Sequence, residues 1–162
     1  CFASKTRSAM HDTVHFEDGT SAVFDAIVYA TGYNITFPFF DPDFISAPGN
    51  AIRLYKRMFK PGFDNLVFIG FAQAIPTLFP FIECQAKLMA AYAIGRYALP
   101  PVAEMERVID ADHKKYVGHC VDRPRHTQQV DYFHYEHDIR TREFPAGIKR
   151  AELHRRRVRE AV

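Results

Sequence analysis

The stretch D-A-I-V-Y-A-T-G-Y-N at residues 25–34 narrows the possible folds of this chain more than any other. Ala26, Ile27, Val28 and Tyr29 form an apolar run too short for a helix and suited to a strand covered on both faces. Gly32 follows where the chain must leave that strand. A residue without Cβ can turn there, and it lets bare backbone approach a flat or phosphorylated ligand. The pattern predicts an α/β fold in which this strand is an inner one.

A second element of the same kind lies downstream. N-L-V-F-I-G at 65–70 predicts a strand over 66–69 delivered to Gly70, and a loop over 70–80 then feeds a helix over about 81–97. Phe81, Ile82, Leu88, Met89, Ala91, Tyr92 and Ile94 cover nearly every side of that helix, so it is expected to be buried rather than amphipathic. Pro100 and Pro101 are expected to stop it. A further helix over about 102–116 carries Val102, Met105, Val108 and Ile109 at helical spacing. Strand, glycine loop and buried helix make half of a dinucleotide-binding unit. The glycine fingerprint of such a unit is missing, because the glycines at 19, 32, 49, 62, 70, 95, 118 and 147 are too dispersed to cradle a phosphate.

Around these elements the rest can be placed. Two strands, over 13–16 and 22–24, alternate about E-D-G-T, whose Asp18-Gly19 pair signals a hairpin. Between 34 and 64, Pro38, Pro42, Pro48 and Pro61 exclude a long helix, while Phe37, Phe39, Phe40, Phe44, Phe59 and Phe63 are too costly to leave in water. An ordered aromatic loop is expected. Helical patterns follow over 130–140 and 147–160, the last strongly basic through Arg155, Arg156, Arg157 and Arg159. The third part of the chain, 117–162, is expected to be a helical extension.

Composition limits what such a chain does. With 162 residues, 48% of them hydrophobic and 25% charged, it can bury one sizeable core. A net charge of +2 gives no footing for a nucleic-acid partner. Cys1, Cys84 and Cys120 are odd in number and show no C-x-x-C spacing, which speaks against a disulfide framework or a structural zinc and for a cytoplasmic protein. Gln73, Pro76 and Pro80 interrupt the longest apolar stretch, so no membrane span is expected. His134 and His137 share a helix face, which permits metal ligation with Glu136 or Asp138 nearby, but no further ligand cluster supports it and no metal site is expected. Glu83 is expected in a helix first turn, complementing the dipole. No nucleophile elbow or acid–base pair stands out, and no catalytic side chain is assigned. The basic last helix reads as a solvated surface.

Taken in order, A-T-G-Y at 30–33, F-P-F at 37–39, the strand into Gly70, Gln73, and E-C-Q-A-K at 83–87 resemble the C-terminal part of the flavin-containing monooxygenases. The resemblance implies a C-terminal portion of a flavoprotein with two dinucleotide-binding, Rossmann-like domains, holding an incomplete sheet followed by C-terminal helices. Both G-x-G-x-x-G fingerprints of that family and its F-x-G-x-x-x-H-x-x-x-W/F motif are absent. The chain is accordingly expected to be a fragment whose missing partner is the N-terminal part of the same polypeptide. In the family, residues 1–30 would end the NADPH-binding region, and 31–116 would be the returning part of the FAD domain.

The implied cofactors are FAD and NADPH, with dioxygen and a small amine or sulfide as reactants. The implied reaction is the N,N-dimethylaniline type, in which a flavin C4a-hydroperoxide transfers oxygen to a soft nitrogen or sulfur nucleophile. Thr31, Gly32, Tyr33, Gly70 and Gln73 would border the cofactor, and Asn34 lies just beyond. Gln73, an amide in an apolar loop, is expected to be buried and partnered. Baeyer–Villiger and N-hydroxylating monooxygenases share the A-T-G turn and are the neighbouring alternative. A non-catalytic interaction protein working through the basic helix is the alternative of another class. The isolated fragment is expected to be inactive, Gly32→Val to disturb flavin retention, and Gly147→Ala to be mild.

Overall fold

The computed structural model describes residues 6–30, 32, 34–117 and 127–160, in two compact units, Cys1–Tyr33 and Asn34–Val162. In the first unit, strands β1 (Thr6–Met10), β2 (Thr13–Phe16) and β3 (Ser21–Val23) form an antiparallel meander with β2 in the middle. Val14 stands opposite Ala9 on one side and Ala22 on the other, and is buried. The Asp-Gly turn forms as the sequence predicts. Gly19 takes φ +84°, and the Asp18 carboxylate accepts from the Thr20 N–H at 3.0 Å and its hydroxyl at 2.7 Å.

The strand expected over residues 26–30 does not form. Val28 and Tyr29 stand 88% and 78% exposed, in irregular backbone. A strand of an inner parallel type is held by ladders on both edges and cover on both faces, and among the described residues no neighbouring strand supplies them.

The second unit is organised around a tight reversal at residues 55–59. The Tyr55 N–H donates to the Phe59 carbonyl at 2.7 Å and the Phe59 N–H returns to Tyr55 at 3.0 Å. Lys56 and Arg57, between them, hold φ of +50° and +57°, a left-handed conformation unusual for side chains of this size, and both are buried. The strand expected over 66–69 reduces to a bridge between Phe59 and Val67, with the Phe68 N–H donating to Met58 at 2.8 Å. The sheet of this unit lies elsewhere. Strand β4 (Gln73–Ile75) runs parallel to β5 (Gln129–Asp131), pairing Gln73 with Gln129 and Ile75 with Asp131.

Four helices pack around this frame. Helix α1 (Phe79–Ala93) places Pro80 in its first turn, where the missing N–H costs nothing. It ends before Gly95, which at φ +69° lets the Gly95 N–H reach the Tyr92 carbonyl, so glycine and not Pro100 stops it. Helix α2 (Val102–Val117) follows the predicted span closely and buries Met105 and Ile109. The helix expected over 130–140 is divided, because Val130 is drawn into β5. Asp131 then caps α3 (Tyr132–Asp138) by accepting from the His134 N–H at 2.9 Å. A π-helical turn, Ile139–Glu143, leads into α4 (Phe144–Glu160).

Helix α1 is not buried on every side. Its buried residues, Phe81, Gln85, Leu88 and Ala91, form one stripe, and Ile94 is exposed. The stripe faces a core of Tyr55, Met58, Phe59, Met105, Ile109, Val130, Tyr135 and Ile139. Fully burying a side chain such as Phe81 or Leu88 is worth roughly 1.5–3 kcal/mol. The aromatic loop is ordered as expected: Phe37, Phe40, Phe44, Phe68 and Phe71 pack on Ile45, Ile52 and Leu54, and the Lys60 ammonium sits 4.4 Å from the centre of the Phe63 ring.

Gly147 proves to be a packing position. A Cβ built on it would fall 2.0 Å from Cδ2 of Tyr97, so the mild response expected for Gly147→Ala does not hold. Tyr97 itself is buried, lies nearly parallel to the Phe144 ring, and donates its hydroxyl to Glu143 at 2.6 Å. Arg150 closes the group with ion pairing to Glu143 and a 2.9 Å bond from Nε to the Ala98 carbonyl.

Candidate functional site

The geometry of the second unit converges on Gly70. Phe59 holds Val67 and Met58 holds Phe68, so the chain arrives at Gly70 from a fixed direction. Gly70 adopts φ +74°, and a Cβ there would meet Cδ1 of Ile82 at 3.3 Å. Its N–H donates to Oε1 of Gln85 at 2.8 Å. Gln85 is completely buried, and its Nε2 donates to the Arg57 carbonyl at 3.3 Å and to the Tyr135 hydroxyl at 3.4 Å. The Tyr135 hydroxyl in turn donates to the Lys56 carbonyl at 2.8 Å. One side-chain amide therefore ties the Gly70 turn, the left-handed Lys56-Arg57 reversal and helix α3 together, with every polar atom of the amide used.

Charge secures the same corner. The buried Lys56 ammonium pairs with Asp138 at 2.8 Å and lies 3.6 Å from Asp112. A buried ammonium needs such partners, since desolvation alone would disfavour it.

Beyond Gly70 the chain opens outward. Gln73 is exposed, not buried as its apolar loop implied, because β4 turns alternate residues outward. Its backbone N–H is held by the Gln128 carbonyl at 2.8 Å, and its side-chain amide is presented at the surface. Helix α1 begins close behind in sequence, with Leu78 before it and no side-chain cap over its first N–H groups. Ile69, Ile75, Leu78 and Phe79 are exposed by 46%, 44%, 41% and 82%. A positive-φ glycine turn, a surface amide, an uncapped helix N-terminus and an apolar surround suit a planar ligand with a polar edge, and FAD is of that kind.

The other predicted residues fall differently. Gly32 belongs to the first unit, with φ +84° and no atom within 4 Å of an added Cβ, so its backbone conformation and not crowding within the chain calls for glycine. Thr31 and Tyr33 lie outside the described residues, and Asn34 is exposed. Glu83 sits beyond the first turn of α1 and pairs with Lys87 at 2.7 Å instead of meeting the helix dipole. His134 contacts Asp131 at 3.1 Å, and no group of three His, Cys, Asp or Glu side chains converges among the described residues.

In the sequence Gln85 stood out only within the E-C-Q-A-K run and received no role at the site, although its signal was present. It is a polar residue on the stripe Phe81, Gln85, Leu88, where a helix facing a core ordinarily carries an apolar one.

Other clefts open on the surface of the described residues. One of about 730 Å³ opens between residues 42–61 and α2, where Arg53 bonds Glu106 at 2.6 Å and Asp110 at 2.8 Å. Another, about 280 Å³, lies between α1 and α3 and includes Cys84, whose thiol burial pushes up to about 11. Cys84 is therefore a neutral thiol at physiological pH and a poor nucleophile.

Comparison with known proteins places this geometry. The family model for flavin-binding monooxygenase-like proteins matches residues 3–145. Flavin-containing monooxygenase 5 of Oryctolagus cuniculus is 34% identical over 127 residues, covering 76% of this chain and 24% of the relative. A 4-hydroxybenzoate brominase (decarboxylating) of Pseudoalteromonas luteoviolacea is 36% identical over 126 residues, with the same coverage of 76% and 24%. Among solved structures, S-allyl-L-cysteine S-oxygenase from Allium sativum superposes with a TM-score of 0.67 at 32% identity, covering 83% of this chain and 31% of that one. The chain thus spans about a quarter of the length of the curated relatives it matches. On a match that runs through both units and includes the Gly70 turn, this chain belongs to the flavin-binding monooxygenase-like family.

Proposed function

We propose that this chain is the C-terminal portion of an FAD- and NADPH-dependent monooxygenase, with residues 31–116 forming the returning part of the FAD-binding domain and 117–162 a helical extension. The observation that carries the reading is the Gly70 turn, fixed by Gln85 next to the exposed Gln73 amide and the uncapped start of α1. Gly70 and Gln73 would hold one edge of the flavin; Thr31, Gly32 and Tyr33 are proposed as further residues bordering the cofactor.

Bound FAD, once reduced by NADPH, would activate dioxygen for transfer to a soft nitrogen or sulfur nucleophile on a small amine or sulfide. The protein's share is positioning and exclusion of water. The Gln73 amide orients the flavin's polar edge, the open N–H groups of α1 favour negative charge developing there, and Ile69, Ile75 and Leu78 keep the surroundings dry. The remainder of the same polypeptide would cover the exposed Phe79 and complete the sheet. No acid–base pair is required of this segment, because the cofactor carries the oxygen transfer. The isolated chain would be inactive.

The test is expression of the polypeptide together with the residues encoded upstream of it, beside the 162-residue chain alone. The longer protein should carry FAD and consume NADPH and oxygen with formation of an N-oxide or sulfoxide. The short chain should be colourless. Stoichiometric flavin on the short chain, or a longer protein that neither binds flavin nor oxygenates amines and sulfides, would sink the proposal.

A further inference from the structure

We infer that Gln85 is the positioning residue of the flavin-facing turn: without touching the cofactor, its buried amide sets the backbone of Gly70 and so the placement of Gln73. The inference rests on the reading that this turn borders FAD. Its argument is geometric. Gln85 Oε1 takes the Gly70 N–H at 2.8 Å, and Nε2 spans to the Arg57 carbonyl at 3.3 Å and the Tyr135 hydroxyl at 3.4 Å. The orientation of the amide is forced, because the Arg57 carbonyl can only accept, the Gly70 N–H can only donate, and the Tyr135 hydroxyl spends its proton on the Lys56 carbonyl at 2.8 Å. Reversing the amide would set carbonyl against carbonyl and N–H against N–H in a site sealed from water.

The turn has little else to hold it. The bridge of Val67 to Phe59 ends with the Phe68 N–H on the Met58 carbonyl at 2.8 Å, Ile69 is 46% exposed, and the regular pairing of β4 begins only at Gln73. Between those points the Gln85 bond is what pins the chain, and it pins it to the reversal at Lys56 and Arg57, whose left-handed backbone persists only where its surroundings determine it. Gln85 is thereby a brace joining a strained reversal on one side to a ligand-facing turn on the other.

Two replacements separate bonding from shape. Gln85→Met keeps the volume and removes all three bonds. Gln85→Glu keeps an acceptor for Gly70 but, when ionised, turns a carboxylate toward the Arg57 carbonyl; protonated, it regains a donor. The readouts are hydrogen exchange at the Gly70 amide in the 162-residue chain and the FAD dissociation constant of the longer flavoprotein, at pH 5.5 and 8, with Gln73→Ala as a direct arm. Gln85→Met should speed exchange at Gly70 and weaken FAD binding at both pH values, each on the order of tenfold, the scale of a buried polar group left without its partner. Compared with the parent at the same pH, Gln85→Glu should bind FAD more weakly where its carboxyl is ionised and recover toward the parent where it is protonated.

If Gln73→Ala weakens FAD binding and Gln85→Met leaves it within about twofold, the brace is wrong although the cofactor reading stands. If Gln73→Ala has no effect either, the cofactor reading fails and takes the inference with it. Parent-like exchange at Gly70 in Gln85→Met would also overturn it, by showing that shape rather than hydrogen bonding matters at Gln85.

Discussion

Gly147 of α4 lies against the ring of Tyr97 so closely that a methyl group there would overlap Cδ2, at 2.0 Å, and Cε2, at 2.1 Å. The same approach lets the Gly147 carbonyl accept from the Ala98 N–H at 3.1 Å. Helix α4 can therefore dock on the segment after α1 only through a residue with no side chain.

Gly147→Ala is expected to destabilise the chain despite improving helix propensity. The propensity gain is about 1 kcal/mol, while forcing a buried ring aside costs about 1–3 kcal/mol or more. Thermal denaturation should show a lower midpoint. In a Tyr97→Leu background the additional loss should shrink, since the overlapping ring is gone. Equal losses in the two backgrounds would mean that the ring is not the obstacle.

Tyr97→Phe leaves the stacking on Phe144 in place and removes one donor to Glu143, whose carboxylate then depends on Arg150. A destabilisation of about 1–3 kcal/mol is expected, measured by denaturant titration at neutral pH. The Tyr97 phenol is itself pushed far above the ordinary value of 10.0, by burial first and then by the Glu143 charge. Spectrophotometric titration should accordingly find Tyr97 un-ionised until the chain unfolds.

Cys84 offers a pH readout. Its folded value of about 11 lies above the ordinary 9.0, so the neutral thiol is favoured by folding. That contribution is fully present below pH about 9 and is lost as pH rises through about 11. Alkylation at Cys84, followed by peptide mapping to separate it from other thiols, should accelerate with an inflection near 11. An inflection near 9 would show the thiol to be solvated.

Asp131 works in the opposite sense. The His134 backbone N–H, bound at 2.9 Å, holds its carboxyl below the ordinary value of 3.8. Its capping contribution is present above that value and lost as pH falls through the lower folded one. Asp131→Ala should cost about 1 kcal/mol at neutral pH, and the difference from the parent should narrow in acid. A constant difference down to strongly acidic pH would mean that the charge is not what caps α3.

Much of this was legible in the residues. Helix α2 announced itself by spacing, helix α1 by an apolar run whose single buried stripe was missed, and the first hairpin by Asp18-Gly19, because local periodicity and turn chemistry act within a few residues. Residues 26–30 read as a strand and remain irregular, since pairing is a property of neighbours and not of the run itself. Gly70 was visible as a turn, yet Gln85, which fixes it, was not. Its role depends on a carbonyl at Arg57 and a hydroxyl at Tyr135 that only the folded chain brings together. Gly147 likewise looked like a tail residue until Tyr97 was placed against it.

The parallel pairing of β4 with β5 has a consequence for synthesis. Gln73 meets Gln129, so the sheet cannot close until the chain beyond Asp131 has emerged, although α1 and α2, which lie between them, are complete much earlier. Closing so distant a pair is entropically slow. On the ribosome the Tyr135 contact to Gln85 must therefore wait for α3, so the brace at Gly70 is completed only after most of the chain has emerged.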